Sequence, residues 1–418
     1  MTVSLAVSLG IFGLIAIREW LPLWLKIWHI MLAGAVVMLA TRQISPSAAL
    51  AAIDWNIIAY LFGAFSIGSA LYLNGVSHKI ADRFASFASA RASLTAFVFG
   101  FALLAAILTN DAAAIIGTPI ALVLAVRAGV DPRTFLIALC VAVTIGSMAT
   151  PIGNPQNLLI ATSGHLPAPL LTFLLWLAFP TILCLGLAAW LLARTIRSGG
   201  VAMAGVWDAV DQEDGRLWPS LLAVGLLVVL VLADSVVATV EAGIEIPLGL
   251  TSCLAATPIY LFGPKRRQTF RQLDWSTLVF FVAMFIVTTA LLESGSLQHL
   301  LGDLHQQMTE PIVTAGIAFF GSHVFSNVPL VDMYLKILES FSTANLMMLA
   351  AASTLAGNVF IISAASNVIV VQQAESLGAP SITFTEFTKA VLLIGVVSTI
   401  ISVGWVYVMM FLLGRPAG

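Results

Sequence analysis

Residues Asp54–Gly75 read DWNIIAYLFGAFSIGSALYLNG, and residues Asp274–Gly295 read DWSTLVFFVAMFIVTTALLESG. Both stretches begin with Asp-Trp, end with a glycine 21 positions after the aspartate, and are mostly apolar in between. An apolar run of this length is long enough to cross the hydrocarbon core of a membrane as a helix. The two stretches therefore predict two equivalent transmembrane helices, one in each half of the chain.

Two further pairs of stretches follow in the same order. Leu108-Thr109-Asn110 corresponds to Phe325-Ser326-Asn327, and Ile152–Asn157 (IGNPQN) corresponds to Ile362–Asn367 (ISAASN). Three matches in one order indicate an internal duplication, which is the first feature to look for in a chain of this kind.

The basic residues predict that the two copies are inverted. In the first copy, Lys79, Arg83 and Arg91 follow Gly75, whereas in the second copy four basic residues precede Asp274 and none follows in 298–310. Cytoplasmic loops collect Lys and Arg, so equivalent helices should cross in opposite directions. Inverted repeats are typical of secondary transporters, whose solute and ion sites lie near the midplane.

Composition excludes a soluble globule. The chain has 418 residues, of which 60% are hydrophobic and 9% are charged, and its mean hydropathy is +1.03. Soluble domains carry about 25% charged residues. The net charge of −2 without a basic face argues against a nucleic-acid partner, and three scattered cysteines predict neither a disulfide framework nor a zinc site.

The predicted fold is an all-α polytopic membrane protein with inverted structural repeats, about 11 transmembrane helices, two re-entrant hairpins and two broken helices. The apolar N-terminal stretch lacks a basic n-region, so it is interpreted as the first such helix. The predicted segments are N-terminal scaffold helices at 1–53, a first repeat at 54–194, a cytoplasmic linker at 195–217, linking helices at 218–273 and a second repeat at 274–418. The hairpins are expected near 93–127 and 311–342, and the broken helices at 134–162 and 344–376.

Two polar clusters interrupt the apolar pattern of the first repeat. Asn110 and Asp111 are favoured helix N-caps, so a half-helix that starts there would point its amides into a cavity. Pro151–Asn157 contains two prolines and Gly153 and cannot form a regular helix. Its free carbonyls could bind a cation, while the amides of Asn154 and Asn157 could bind hydroxyls or oxyanions.

The second repeat has matching clusters. Ser326 and Asn327 correspond to the first hairpin tip, and the second broken helix carries four further candidate binding residues: Asn358, Ser363, Ser366 and Asn367. The alternative for the cluster at Asn110 and Asp111 is a polar kink that neighbouring helices satisfy, and for Pro151–Asn157 it is an ordinary surface loop. For the last cluster the alternative is a helix-packing surface of small residues.

Ionisable residues within a membrane predict function. Asp111 is the predicted proton- or cation-coupling group, with Thr109, Gly153 and Asp332 as further candidates. Asp332 and Lys336 are four residues apart on one arm, and the alternative for this pair is mutual neutralisation. His165, His299 and His305 fall in predicted outer loops. No metal-ligand cluster, cofactor motif, nucleotide-binding loop or nucleophile–base set occurs, which argues against an enzyme.

Four motifs carry a family resemblance: LTNDAAAIIGTPIAL (Leu108–Leu122), TPIGNPQNLLIA (Thr150–Ala161), FSNVPL (Phe325–Leu330) and AGNVFIISAASNVIVVQQAE (Ala356–Glu375). In this order they resemble the ion transporter superfamily, which includes arsenite/antimonite efflux permeases, divalent-anion/sodium symporters and citrate carriers. The arsenical pump membrane proteins are the most similar branch.

The resemblance implies a scaffold domain and a transport domain, often in a homodimer, with solute held between two hairpin tips and two unwound helices. Carried over to this chain, the binding residues are Asn110, Asn154, Asn157, Ser326, Asn327, Ser366 and Asn367. The first tip has Thr-Asn-Asp where the sodium-dicarboxylate branch has Ser-Asn-Thr, and the second has Val328 in place of the threonine. Both departures argue against paired sodium sites.

The leading functional hypothesis is proton-coupled efflux of arsenite or antimonite, because uncharged trihydroxides suit amide and hydroxyl groups. Two alternatives stay open: sodium- or proton-coupled transport of a small carboxylate or inorganic anion, and sodium/proton antiport. The expected partners are a small solute, H+ or Na+, and membrane lipid, with an accessory ATPase an option but not a requirement. The expected location is a bacterial or archaeal cytoplasmic (inner) membrane.

Overall fold

The structure is a computed structural model. The predicted linker at 195–217 lies largely outside the residues that it describes, and Lys79, His299 and His305 lie wholly outside them. The structure describes residues 2–16, 25–76, 80, 83, 87, 89–166, 168–196, 216–240, 247–296, 307–338, 341–380 and 382–413.

The first half of the chain is helical in its described parts, and it contains the predicted hairpin and broken helix. Its helices are α1 (Val3–Ala16), α2 (Ile27–Ala40), α3 (Pro46–Ala52), α4 (Trp55–Leu73), α5 (Ala90–Ile107), α6 (Asn110–Ala128), α7 (Pro132–Ser147), α8 (Pro155–Thr162) and α9 (Pro169–Arg194). Here α5 and α6 form the first hairpin, and α7 and α8 are the two parts of the first broken helix.

The second half repeats this order. Its helices are α10 (Trp218–Val240), α11 (Leu248–Phe262), α12 (Arg266–Arg271), α13 (Trp275–Glu293), α14 (Pro311–Phe325), α15 (Asn327–Ile337), α16 (Thr343–Ala356), α17 (Ala365–Ser376) and α18 (Phe384–Leu412). A short 3-10 turn at Ile361–Ser363 lies between α16 and α17, the two parts of the second broken helix.

The correspondence between the halves is closest at α4 and α13. Both helices have 19 residues and begin at an aspartate N-cap. Asp54 accepts from the Asn56 and Ile57 N–H groups, and Asp274 accepts from the Thr277 N–H. The matching order extends upstream of the predicted repeats, because α1–α3 correspond to α10–α12 in order and α3 and α12 are both short.

The two halves exchange their packing contacts in pairs. Helix α2 packs against α13 of the other half, while α11 packs against α4. Helix α6 of the first hairpin packs against α17, and α15 of the second hairpin packs against α8. This reciprocal pattern places each hairpin beside the broken helix of the opposite half, so all four interruptions lie in one region.

Helix length and composition fit a membrane protein. Six of the described helical stretches are long and apolar enough to cross a membrane: Trp55–Leu73, Ala90–Ile107, Asn110–Ala128, Pro169–Arg194, Arg266–Glu293 and Phe384–Leu412. Shorter apolar helices of 10–17 residues accompany them. By length alone, both arms of the first hairpin could span the membrane completely, so the re-entrant arrangement stays a prediction.

The broken helices run through the centre of the molecule, where backbones approach closely. Nearly all side chains of α7 and α16 are buried. In α7, a Cβ atom added to Gly146 would lie 2.3 Å from the Ala102 carbonyl oxygen of α5. Glycine therefore permits the contact between the first hairpin and the first broken helix.

We expect Gly146→Ala to lower the thermal unfolding temperature of the purified protein, because the new methyl group would push α5 away from α7. Overpacking of this kind costs about 1–3 kcal/mol. Gly186→Ala in α9 is the matched control, since an added Cβ there meets nothing within 4 Å. Equal unfolding temperatures for the two variants would contradict the close approach.

Candidate functional site

A cavity of about 820 Å³ lies where the four interruptions meet. Both hairpin tips and both broken helices contribute to its wall, together with residues around the starts of α2 and α13. The wall residues at the interruptions include Asn110, Asp111, Pro155, Gln156, Ser326, Asn327, Ser363, Ala364 and Ala365. The structure therefore brings together the four clusters that the sequence singled out.

The first hairpin tip is joined to the first broken helix through the backbone. The Asn110 N–H donates to the Gly153 carbonyl at 2.7 Å. The Thr109 side chain caps α6 by accepting from the Ala112 N–H at 3.1 Å. A Cβ added to Gly153 would lie 2.3 Å from the Ser147 carbonyl oxygen, so only glycine fits there. Thr109 and Gly153 do not line the cavity, and they position the residues that do.

Two hydroxyl groups complete this join. The Thr150 hydroxyl donates to the Ala106 carbonyl at 2.6 Å. The Tyr60 hydroxyl of α4 lies 3.3 Å from both the Leu108 and the Ile152 carbonyl oxygens. Sequence reasoning missed Tyr60, because its partners are free carbonyls of segments distant in the chain.

Asn154 and Asn157 hold the first unwound segment in shape. Asn154 caps α8 by accepting from the Asn157 N–H at 2.9 Å, and its amide donates to Ser147 Oγ at 3.0 Å and to Thr354 Oγ1 at 3.1 Å. The Asn157 amide donates to the Ser147 and Thr150 carbonyls at 3.1 and 3.0 Å. Neither side chain lines the cavity, and Asn157 Oδ1 has no hydrogen-bond partner among the described residues. A role of the two side chains in solute binding stays a prediction.

The second hairpin tip has a strained backbone. Ser326 has φ 68° and ψ 155°, a region in which residues other than glycine cost about 1–3 kcal/mol. Asn327 begins α15 and lines the cavity. Its side-chain oxygen has no hydrogen-bond partner among the described residues, and it is therefore free to bind a solute.

The polar side chains of the second broken helix differ in their surroundings: two of them contact neighbouring segments, and another lines the cavity. Asn367 donates to the Gly357 carbonyl at 2.8 Å, and Ser366 Oγ lies 3.4 Å from the Asn110 amide nitrogen. Asn358 is fully buried, and neither its nitrogen nor its oxygen has a partner within the described part of the chain. Of the four predicted residues in this segment, Ser363 lines the cavity.

The charged residues of the wall come from distant segments. Asp111 is 2% exposed, and its Oδ1 atom has no partner among the described residues. Lys26, Asp274 and Glu375 also line the cavity. Sequence reasoning did not assign these three to the site, because only tertiary packing brings them there. The described wall therefore contains three carboxyl groups, one ammonium group and no arginine.

Asp332 lies outside the cavity wall. Its Oδ2 accepts from Lys336 Nζ at 2.8 Å and from the Thr288 hydroxyl of α13 at 2.5 Å. The structure thus places Asp332 in an ion pair with Lys336, as the alternative of mutual neutralisation expects, and its coupling role stays a prediction. Within the described ranges, no three His, Cys, Asp or Glu side chains converge as metal ligands would.

A family model described as a citrate transporter (CitMHS) matches residues 12–345. The chain belongs to this citrate transporter family. It is therefore a secondary transporter and a multi-pass membrane protein rather than an enzyme. The assignment confirms the predicted superfamily, and it does not single out the arsenical pump branch.

Individual relatives agree with this family. An uncharacterised transporter of Mycobacterium tuberculosis is 27% identical over 387 residues, which cover 87% of this chain and 88% of the relative. A 46 kDa membrane protein of Mycobacterium leprae is 27% identical over 154 residues, or 33% of this chain and 34% of that protein. The crystal structure of the Alcanivorax borkumensis YdaH transporter is 14% identical with a TM-score of 0.50, and the match covers 98% of this chain and 99% of that one. The last likeness concerns the fold alone.

The contrast between Asn157 and Asn327 is testable. We expect Asn157→Leu to lower the unfolding temperature, because carbonyls in the first unwound segment would lose their donor, at a cost of about 1–3 kcal/mol each. Asn327→Ala should leave the unfolding temperature of the solute-free protein nearly unchanged and weaken solute binding. Thermal unfolding with and without arsenite or citrate separates the two effects. The assignment of Asn327 to solute binding and of Asn157 to stability is wrong if Asn327→Ala destabilises the solute-free protein as much as Asn157→Leu does.

Proposed function

We propose that this chain is a proton-coupled transporter of the bacterial cytoplasmic membrane that exports arsenite and antimonite. The central cavity is the solute site, and Asp111 carries the proton. The observation that supports this proposal most directly is Asp111 itself. It is buried, it lies in the cavity wall, and one of its oxygens has no partner among the described residues.

The charge of the wall supports an uncharged solute. In the described part of the wall, Asp111, Asp274 and Glu375 supply three carboxyl groups and Lys26 supplies one ammonium group. Such a wall repels a multiply charged anion unless a cation accompanies it. Near neutral pH, arsenite and antimonite are mainly uncharged trihydroxides. Their hydroxyl groups can bond to the Asn110 and Asn327 amides without any charge compensation.

The position of Asp111 suits proton coupling. It lies in the first turn of α6, where the helix N-terminus favours the carboxylate, while burial favours the neutral acid. Access of water to the cavity from one side or the other shifts this balance. The group can therefore bind a proton in one state of the transporter and release it in another.

A small carboxylate is the second candidate solute, and two observations favour it. The family is described as a citrate transporter. The first residues of four helices, Asn110, Pro155, Asn327 and Ala365, line the cavity, and helix N-termini attract anions. Because carboxyl groups outnumber ammonium groups among the described side chains of the wall, a carboxylate would enter together with a cation.

We expect Asp111→Asn to lose gradient-driven transport while it still binds solute. Proteoliposomes with an imposed pH gradient should take up arsenite when they contain the wild-type protein. The gradient-stimulated rate should fall at least about tenfold in the variant, as is typical when a proton-transfer group is removed. Arsenite binding, measured by thermal stabilisation, should persist because an amide can still bond to a hydroxyl group.

A second aspartate at a helix start supplies a matched control. Asp54→Asn makes the same chemical change at the N-cap of α4, outside the cavity, and asparagine also caps helices. This variant should keep its gradient response. Full gradient-driven uptake by Asp111→Asn would refute the assigned proton carrier. Uptake of citrate with Na+ or Mg2+, and none of arsenite, would favour the second candidate.

A further inference from the structure

His323 lies directly behind the cavity wall, at a position that the transport proposal does not use. It occupies the last turn of α14, three residues before Ser326 of the second hairpin tip. Its Nδ1 atom is 3.0 Å from Ser363 Oγ. Ser363 ends the 3-10 turn of the second broken helix and lines the cavity. The imidazole therefore connects the second hairpin to a hydroxyl group that faces the solute site.

Aromatic side chains fix the orientation of the imidazole. Phe319 packs against it at a centroid distance of 5.3 Å and an interplanar angle of 85°, and Phe360 does so at 4.9 Å and 67°. Phe319 belongs to the hairpin and Phe360 to the second broken helix, so the ring is held from both elements. Its hydrogen bond to Ser363 consequently has a defined direction.

The repeat does not demand a histidine here. In the first half, Ala106 precedes Thr109 by three residues, as His323 precedes Ser326. At that position the Thr150 hydroxyl donates to the Ala106 carbonyl at 2.6 Å. The contact to the broken helix there uses the backbone of Ala106 and needs no side chain from the hairpin. The histidine adds a side-chain donor or acceptor that the other half does not have.

The surroundings of His323 decide which ring nitrogen carries the hydrogen. Its Nε2 atom is buried and has no partner among the described residues. A neutral imidazole has one N–H donor and one acceptor nitrogen, and a buried N–H without a partner is rarer than an unpaired acceptor. The arrangement with fewer unpaired donors puts the hydrogen on Nδ1, which then donates to Ser363 Oγ.

Charged groups of the neighbouring helices do not alter this assignment. Helix α14 packs against α1, α15 and α16. Neither α1 nor α16 contains a charged residue, and neither does the second break at 357–364. In α15, Asp332 and Lys336 pair with each other.

We propose that His323 is a positioning residue that turns the Ser363 hydroxyl toward the solute. Because the Ser363 oxygen accepts from Nδ1–H, its own hydrogen is left to donate into the cavity. The wall then offers a donor to an oxygen atom of the solute, whether a hydroxyl or a carboxylate oxygen, and it disfavours cationic amines. This inference rests on the proposed function, in which the cavity is the solute site.

The test compares three single variants and one double variant, with arsenite as the first probe and citrate as the second. His323→Phe keeps an aromatic ring between Phe319 and Phe360 but removes the donor, so we expect about a tenfold loss of affinity, the effect of one hydrogen bond. His323→Asn should recover affinity, because its amide can take the place of Nδ1. Ser363→Ala should match His323→Phe, and the double variant should lose no more than either single variant.

The chain offers a matched control for the loss of a histidine. His165 Nδ1 lies 3.2 Å from Ser163 Oγ in an exposed position, so His165→Phe removes the same kind of pair outside the cavity. Its affinity and its transport KM should equal those of the wild-type protein. His323→Phe should raise KM and leave kcat nearly unchanged, whereas a general loss of fold would lower both activity and unfolding temperature.

A readout without solute separates this proposal from the proposed function. In 15N NMR spectra of histidine-labelled protein, the signals that His323→Phe removes should show a protonated Nδ1 and an unprotonated Nε2. A protonated Nε2, or additive losses in the double variant, would overturn the proposal. Failure of wild-type protein to bind either probe would refute the proposed function, while the NMR spectra would still decide the tautomer.

Discussion

The fold depends on one constraint: each helix that is interrupted in an apolar interior must find internal partners for its free backbone groups. Unpaired backbone groups in hydrocarbon cost several kcal/mol each, and this protein interrupts two helices and turns two hairpins in one region. The hydrogen bond from the Asn110 N–H to the Gly153 carbonyl satisfies a donor at the first hairpin tip and an acceptor in the first broken helix. The Asn157 amide and the Tyr60 hydroxyl satisfy further carbonyls. The hydrogen bonds that satisfy these polar groups thus also hold the interruptions in place around the cavity.

The two halves share this arrangement, but they differ in the hydrogen bonds that stabilise it. Tyr60 of α4 bonds to the first hairpin and the first broken helix, whereas the equivalent position of α13, six residues after its aspartate cap, is Phe280, which has no hydroxyl. The second tip also contains the strained Ser326, whereas the first tip has no residue with a positive φ. Repetition of the fold therefore does not imply repetition of the hydrogen bonds, and each half has to be considered separately.

The sequence predicted what local rules determine. The two Asp-Trp stretches located α4 and α13, because an apolar run bounded by polar residues defines a span by itself. Proline, glycine and asparagine located the four interruptions, because proline breaks helices and asparagine caps them. The sequence could not show that the Asn154 and Asn157 side chains turn away from the cavity, because that depends on carbonyls freed elsewhere. The sequence also could not show that Lys26 lies in the wall, since α2 reaches the site through its packing against α13.

The cavity combines two electrostatic influences that oppose each other, and their balance bears on the solute. Four helix starts favour negative charge, while the carboxyl groups in the described part of the wall, which outnumber its one ammonium group, oppose it. A neutral polyhydroxy solute avoids the conflict, and an anion accompanied by a cation uses both influences. The helix starts belong to the fold and would be present in any protein built this way, whereas the carboxyl groups belong to this chain. Selectivity among related transporters should therefore follow the charged side chains of the wall rather than the architecture that surrounds them.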